Sequence, residues 1–249
     1  MISVIDINVN ETSYLEATAQ IRSWAMAGES RAVYATSVHG TMEAHDAPEF
    51  RTILNRADLI TPDGMPLVWM MRLKGIRDQQ RTYGPILMLH ILEMAAREKI
   101  PVGFYGGEPD VLEILVTRVK TMYPGLQIGY VFSPPFRSLA NEEARQIQQA
   151  IIASGVRILF VGLGCPRQET WIDGQRGHIP AVMLGVGAAF DFHAQVKPQA
   201  PAWMQRSGLE WLFRLLTEPR RLWRRYLHHV PRFIFLAIAD LLGFLKRGD

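Results

Sequence analysis

Between residues 101 and 186, short apolar runs alternate with longer amphipathic ones. Pro101–Tyr105 (PVGFY), Leu126–Phe132, Arg157–Val161 (RILFV) and Ala181–Val186 (AVMLGV) read as strands. Between them, a stretch through Val119, Asn141–Ser154 and the segment after Pro166 read as helices. Parallel neighbours need a long crossover, and a helix is the usual one. Strands covered on both faces lose the polar alternation of a half-wet sheet, as these do. The pattern predicts an α/β fold with a mostly parallel, Rossmann-like sheet wrapped by helices. Ligands in such a sheet sit at the carboxyl ends of the strands.

Upstream, Ser13-Tyr-Leu-Glu16 is a capping box that opens a helix to about Ala27. Arg31–Thr36 and Asp58–Ile60 read as strands, and Thr61-Pro-Asp-Gly64 as a turn. Helices are expected at Gly40–His45, Pro48–Ala57, Met65–Leu73 and Gly84–Lys99. From Pro201 no strand pattern remains. Helices are expected over Pro201–Leu216, from Glu218-Pro219 and again from Pro231, since proline suits a first helical turn. The reading divides the chain into an α/β domain, residues 1–200, and an all-helical appendage, 201–249.

Charge separates the same two parts. Residues 201–249 hold nine Arg/Lys against four acids, while the first 200 hold 18 against 20. A basic tail on a near-neutral body points to an anionic partner, or to a solvated helix face. Val230–Leu245 is strongly apolar but only 16 residues long, with Arg232 and Asp240 inside, against the ~20 apolar residues a spanning helix needs. It reads as an interfacial helix beside basic residues, or as one packed on the body or on a second subunit. The apolar stripe favours lipid over nucleic acid. An exposed apolar tail would also favour a homo-oligomer. The one cysteine, Cys165, excludes a disulfide scaffold. The first residues lack a basic segment before an apolar run, so no secretory signal is expected.

Chemistry-bearing residues fall into three groups. Asp63 follows a buried strand inside a Pro/Gly turn, where a carboxylate can serve as a general base or simply close the turn. Gly162 and Gly164 follow a strand in Val161-Gly-Leu-Gly-Cys-Pro-Arg-Gln-Glu169, and glycines there allow close backbone approach to a phosphate or ribose. Arg167 stands where a dinucleotide fingerprint needs its third glycine. Arg221 and Arg225, four apart, share a helix face, with Arg214 just upstream; planar guanidiniums suit a diphosphate. Arg81 stands alone in a polar loop, Asp78–Gly84, that reads as mobile. The seven His contain no H-x-x-x-H, and adjacent His228 and His229 diverge on a helix, so no metal site is expected.

Four strings in order make the chain resemble the WecG/TagA/CpsF family of bacterial glycosyltransferases: Thr61-Pro-Asp-Gly-Met-Pro-Leu-Val-Trp69, Val161–Glu169, Ala189-Phe-Asp-Phe192 and Glu218-Pro-Arg-Arg-Leu-Trp-Arg-Arg-Tyr226. The first string looks most like the exopolysaccharide branch. The resemblance implies an inverting enzyme of cell-surface polysaccharide biosynthesis. It would move a hexose (ManNAc, ManNAcA or glucose class) from a UDP-sugar to a polyprenyl-diphosphate-linked sugar. It would work without a metal or other cofactor, in the cytoplasm, peripheral on the inner face of the membrane.

The resemblance maps the base onto Asp63, a loop arginine onto Arg81, a substrate glutamine onto Gln168, and diphosphate arginines onto Arg214, Arg221 and Arg225. Where the family shows Thr-x-Asn, this chain has Ala35 and Ser37. Ile86 replaces an Asp, and Gln195 and Gln199 stand at a small-residue and an Arg position. If the family Asn and Asp hold sugar hydroxyls, Ser37 and Ile86 alter substrate identity. These departures also motivate a rival reading, a degenerate member that binds nucleotide-sugar or lipid without turnover.

Overall fold

The computed structural model describes residues 1–244. A hairpin, β1 (Ile2–Val4) and β2 (Ile7–Val9), leads into α1 (Tyr14–Ala27) and β3 (Arg31–Thr36). Then come α2 (Val38–Asp46), α3 (Pro48–Asn55), β4 (Leu59–Pro62), α4 (Met65–Leu73) and α5 (Gly84–Glu98). β5 (Val102–Gly106), α6 (Pro109–Met122), β6 (Ile128–Phe132), α7 (Asn141–Ala153), β7 (Ile158–Gly162), α8 (Arg167–Gln175) and β8 (Val182–Gly185) complete the alternation. Four helices follow: α9 (Ala189–His193), α10 (Ala202–Arg206), α11 (Glu210–Thr217) and α12 (Pro219–Leu241).

The main sheet has six strands in the order β4-β3-β8-β7-β5-β6, all parallel. Both faces are buried. Val33, Phe104, Phe160 and Leu184 meet α1, α5, α6 and α9 on one side. Tyr34, Tyr105, Leu159 and Met183 meet the hairpin, α2, α3, α4 and α8 on the other. That two-sided burial is why these strands are apolar almost without a break. The capping box at Ser13 is made in both directions, and α1 ends on Gly28 at φ +68°.

Three expectations change, and one element goes unforeseen. β4 runs on through Thr61 and Pro62, so the turn is only Asp63-Gly64. Pro62 is tolerated because β4 is an edge strand. Asp63 N–H already points to the Thr36 carbonyl, so position 62 turns its missing donor outward. The hairpin at Ile2–Val9 carries an apolar alternation too short to be read from the sequence. The helix expected over Pro201–Leu216 breaks at Ser207-Gly208-Leu209; Gly208 takes φ +73°, and the Trp69 ring lies 2.6 Å from where a β-carbon would stand. Pro231 starts no helix: α12 passes straight through it. Leu222, His229, Phe233 and Ala237 form one buried stripe across the proline, and that packing outweighs the lost backbone bond. The carbonyl that loses its donor belongs to Leu227, on the exposed side of the helix.

The tail lies on the body. Phe233 and Ala237 join the second core cluster. Asp240 accepts from the Ile5 backbone N–H at 2.7 Å and from Lys74 Nζ at 2.5 Å, and Arg232 pairs with Asp46. Among the described residues no helix is long and apolar enough to cross a membrane. Leu245, Lys246, Arg247 and Asp249, which belong to the apolar and basic tail of the sequence reading, lie outside the described residues.

Candidate active site

At the carboxyl edge of the sheet, the loops after β3, β4, β7 and β8 form one wall of a cleft of about 680 Å³. Helices α4, α11 and α12 form the other, with Trp69, Trp211, Arg214, Arg221 and Arg225 facing in. The edge location follows from topology, since every parallel strand delivers its loop to the same side.

Asp63 lies in this cleft with its side chain 20% exposed. Oδ1 accepts the Gly84 N–H at 3.2 Å, at the positive first turn of α5. Arg81 Nη2 is 3.7 Å from the same oxygen. Burial outweighs these attractions and lifts the carboxyl from 3.8 to about 6; Glu210 adds to the rise, while Arg81, Gly84 and Arg214 oppose it.

Arg81 is fixed in place rather than loose. Its Nε donates to the Asp63 carbonyl, Nη2 donates to Glu210 Oε2 at 2.6 Å, and the guanidinium stacks 3.9 Å from the Tyr83 ring centre. Tyr83 Oη donates to Glu210 Oε1 at 3.1 Å. Gln79 anchors the loop to the Thr12 backbone in both directions, at 3.2 and 2.6 Å. Glu210, which nothing in the helix pattern of Glu210–Thr217 marks, therefore joins the tail to Arg81 and, through it, to Asp63. We expect Glu210→Gln to move the acid limb of the pH–rate profile to lower pH, because one negative neighbour of Asp63 disappears. A limb that stays in place would show that the tail does not tune Asp63.

Gln168 is buried. Its Oε1 accepts the Gly187 N–H at 3.0 Å and its Nε2 donates to Glu169 Oε1 at 2.9 Å, so it fastens the β7 loop to the β8 loop at the cleft floor. Glu169 beside it is lifted by burial to about 7, and its Oε2 has no hydrogen-bond partner among the described residues. Ser37 is the N-cap residue of α2, makes no side-chain cap bond and lines the cleft. Gly164, at φ +79°, also lines it. Gly162 does not: a β-carbon there would fall 2.6 Å from the Phe190 ring, so packing explains this glycine rather than ligand approach. Of the departures, Ala35 and Ser37 face the cleft, whereas Ile86, Gln195 and Gln199 do not line it.

The three tail arginines converge here but are not equivalent. Arg221 pairs with Glu218 at 2.6 Å. Among the described residues Arg214 and Arg225 have no carboxylate partner, and Arg214 Nε is buried without an acceptor. Burial and the charges of Arg221 and Arg214 depress the Arg225 pKa. Two cations left uncompensated in a partly closed hollow are a site for an anion.

The model described as "Glycosyl transferase WecG/TagA/CpsF family" matches residues 2–247. The N-acetylglucosaminyldiphosphoundecaprenol N-acetyl-beta-D-mannosaminyltransferase of Bacillus spizizenii is 36% identical over 198 residues, 77% of this chain and 72% of that one. The protein of the same name from Bacillus subtilis is 30% identical over 198 residues, 77% and 73% of the two chains. With that match across both the acidic edge and the arginine-bearing tail, the chain belongs to the WecG/TagA/CpsF family of glycosyltransferases.

Proposed function

We propose that the chain transfers a hexose of the N-acetylmannosamine class, with inversion, from a UDP-sugar to a sugar carried on a polyprenyl diphosphate. The acceptor class rests on the relatives' printed names. Their β product is also what an α-linked sugar nucleotide yields when attacked from the opposite face. The observation that carries the reading is a single cleft with the Asp63 carboxyl at one wall and, at the other, guanidiniums that have no carboxylate partner among the described residues. Asp63 accepts the proton of the acceptor hydroxyl as its oxygen bonds to the anomeric carbon. The bond from that carbon to the diphosphate oxygen breaks, and UDP leaves with the electron pair. Arg214 and Arg225 meet the charge that develops on the leaving diphosphate. Arg81 holds Asp63 in place, and Ser37, Gly164 and Gln168 shape the donor side.

The degenerate-member reading has less support, because Asp63, Arg81 and Gln168 all stand at the cleft. Incubating the protein with UDP-sugars and lipid-linked acceptors, followed by mass spectrometry, tests the two against each other: no product from any pair favours the degenerate reading. No divalent ion is assigned to the transfer step, since the proposed base, Asp63, and the acid nearest it across Arg81, Glu210, are both paired with that arginine. Turnover is expected to be equal with and without added Mg²⁺ or Mn²⁺. Strong activation by either ion would move the leaving-group role from arginine to metal.

The same reading places the protein on an anionic membrane surface at the inner face. Trp69, Leu73, Ile234, Ile238 and Leu241 are exposed and line the cleft, and Arg220 and Arg224 are exposed on the same helix as the last three. Phe235 and Leu242 are 72% and 64% exposed, so changing them leaves the core intact. The double substitution Phe235→Glu with Leu242→Glu should abolish sedimentation with anionic vesicles. If vesicle binding persists and a dimer dissociates instead, this face belongs to a second copy of the chain.

A further inference from the structure

His39 and Glu43 stand four apart on α2, on one helix face. His229 comes onto that face from α12, a meeting that the sequence spacing of the histidines conceals. His39 Nδ1 is 3.5 Å from Glu43 Oε1, and His229 Nε2 is 3.6 Å from the same oxygen. The two rings lie 5.4 Å apart, centre to centre. One ligand atom from each residue lies within 4.8 Å of the other two. These separations are long for hydrogen bonds. They match the edge of a tetrahedral zinc site, roughly 3.4 Å between ligand atoms bound at ~2.0–2.1 Å. Among the described residues, His39 Nδ1, the nitrogen that faces Glu43, is buried without a hydrogen-bond partner.

We propose that His39, Glu43 and His229 bind a zinc-class transition-metal dication that ties the tail helix to the body. The ligand set of two imidazoles and one carboxylate suits zinc. Arg221, Arg225 and His229 follow at four-residue steps on α12. A metal on His229 therefore fixes how far the arginines reach into the cleft. The ion takes no part in the transfer step itself.

The full chain, stripped with a chelator, should take up one Zn²⁺ and then resist proteolysis within α12. His39→Ala and Glu43→Gln should each weaken uptake by more than ~100-fold, beyond what loss of an outer partner causes. His229→Cys should keep the metal and, with Co²⁺, add a thiolate charge-transfer band, a signature that a structural role for His229 would not produce. His228→Ala should bind Zn²⁺ as the parent does. The proposal is overturned if the parent takes up no zinc at micromolar concentration. It is also overturned if His39→Ala binds as well as the parent while His228→Ala does not, which would move the ion to Asp46, His228 and His229. None of these readouts depends on turnover, so they stand or fall apart from the transferase reading.

Discussion

Asp63→Asn is expected to cut turnover by ~10²–10⁴-fold, the usual contribution of a positioned general base. UDP-sugar binding should persist, because the asparagine oxygen can still accept from Gly84 N–H. In the parent, kcat/KM should fall as pH drops through about 6, where Asp63 takes up its proton. The same substitution should stabilise the fold. An acid raised from 3.8 to about 6 loses its proton first in the unfolded chain, so stability falls as pH rises across that window and stays lowered above it. Removing the charge should recover on the order of 1–3 kcal/mol at neutral pH, visible as a higher Tm. A less active but more stable variant marks a functional carboxylate. If turnover is unchanged, Asp63 is only a turn residue and the base lies elsewhere.

Arg225→Ala and Arg214→Ala are the second large effect. Each should lower kcat by ~10²–10³-fold, the range for removing one preorganised donor to a developing charge. Arg221→Ala should cost less, because Glu218 already neutralises that side chain. The split should appear in kcat more than in KM for the donor, since the charge on the diphosphate grows as the bond breaks. Equal losses at all three positions, with a lowered Tm, would point to a packing role for the tail instead.

Much of the architecture was legible in the residues because local pattern and global burial agree. Arg31–Thr36, Met65–Leu73 and the strands after residue 101 appear within a residue or two of where the apolar runs place them. The disagreements have specific causes. A proline promises a helix start only when nothing on its far side holds the helix together. At Pro231 a buried stripe from Leu222 to Ala237 does. Gly162 looked like a phosphate-loop glycine because glycine after a strand serves two purposes. The ring of Phe190, 28 positions later, decides between them.

The sequence by itself determined that the chain makes a parallel sheet with a ligand edge, that Asp63 stands on that edge, and that the cations come from the tail. Periodicity, turn chemistry and charge are properties of neighbours along the chain, and neighbours are what a sequence lists. Only the tertiary structure decided which arginines remain unpaired, that Glu210 reaches Arg81, and that His229 meets His39. Those outcomes depend on side chains from distant segments competing for the same partners in space, and no spacing along the chain encodes that competition.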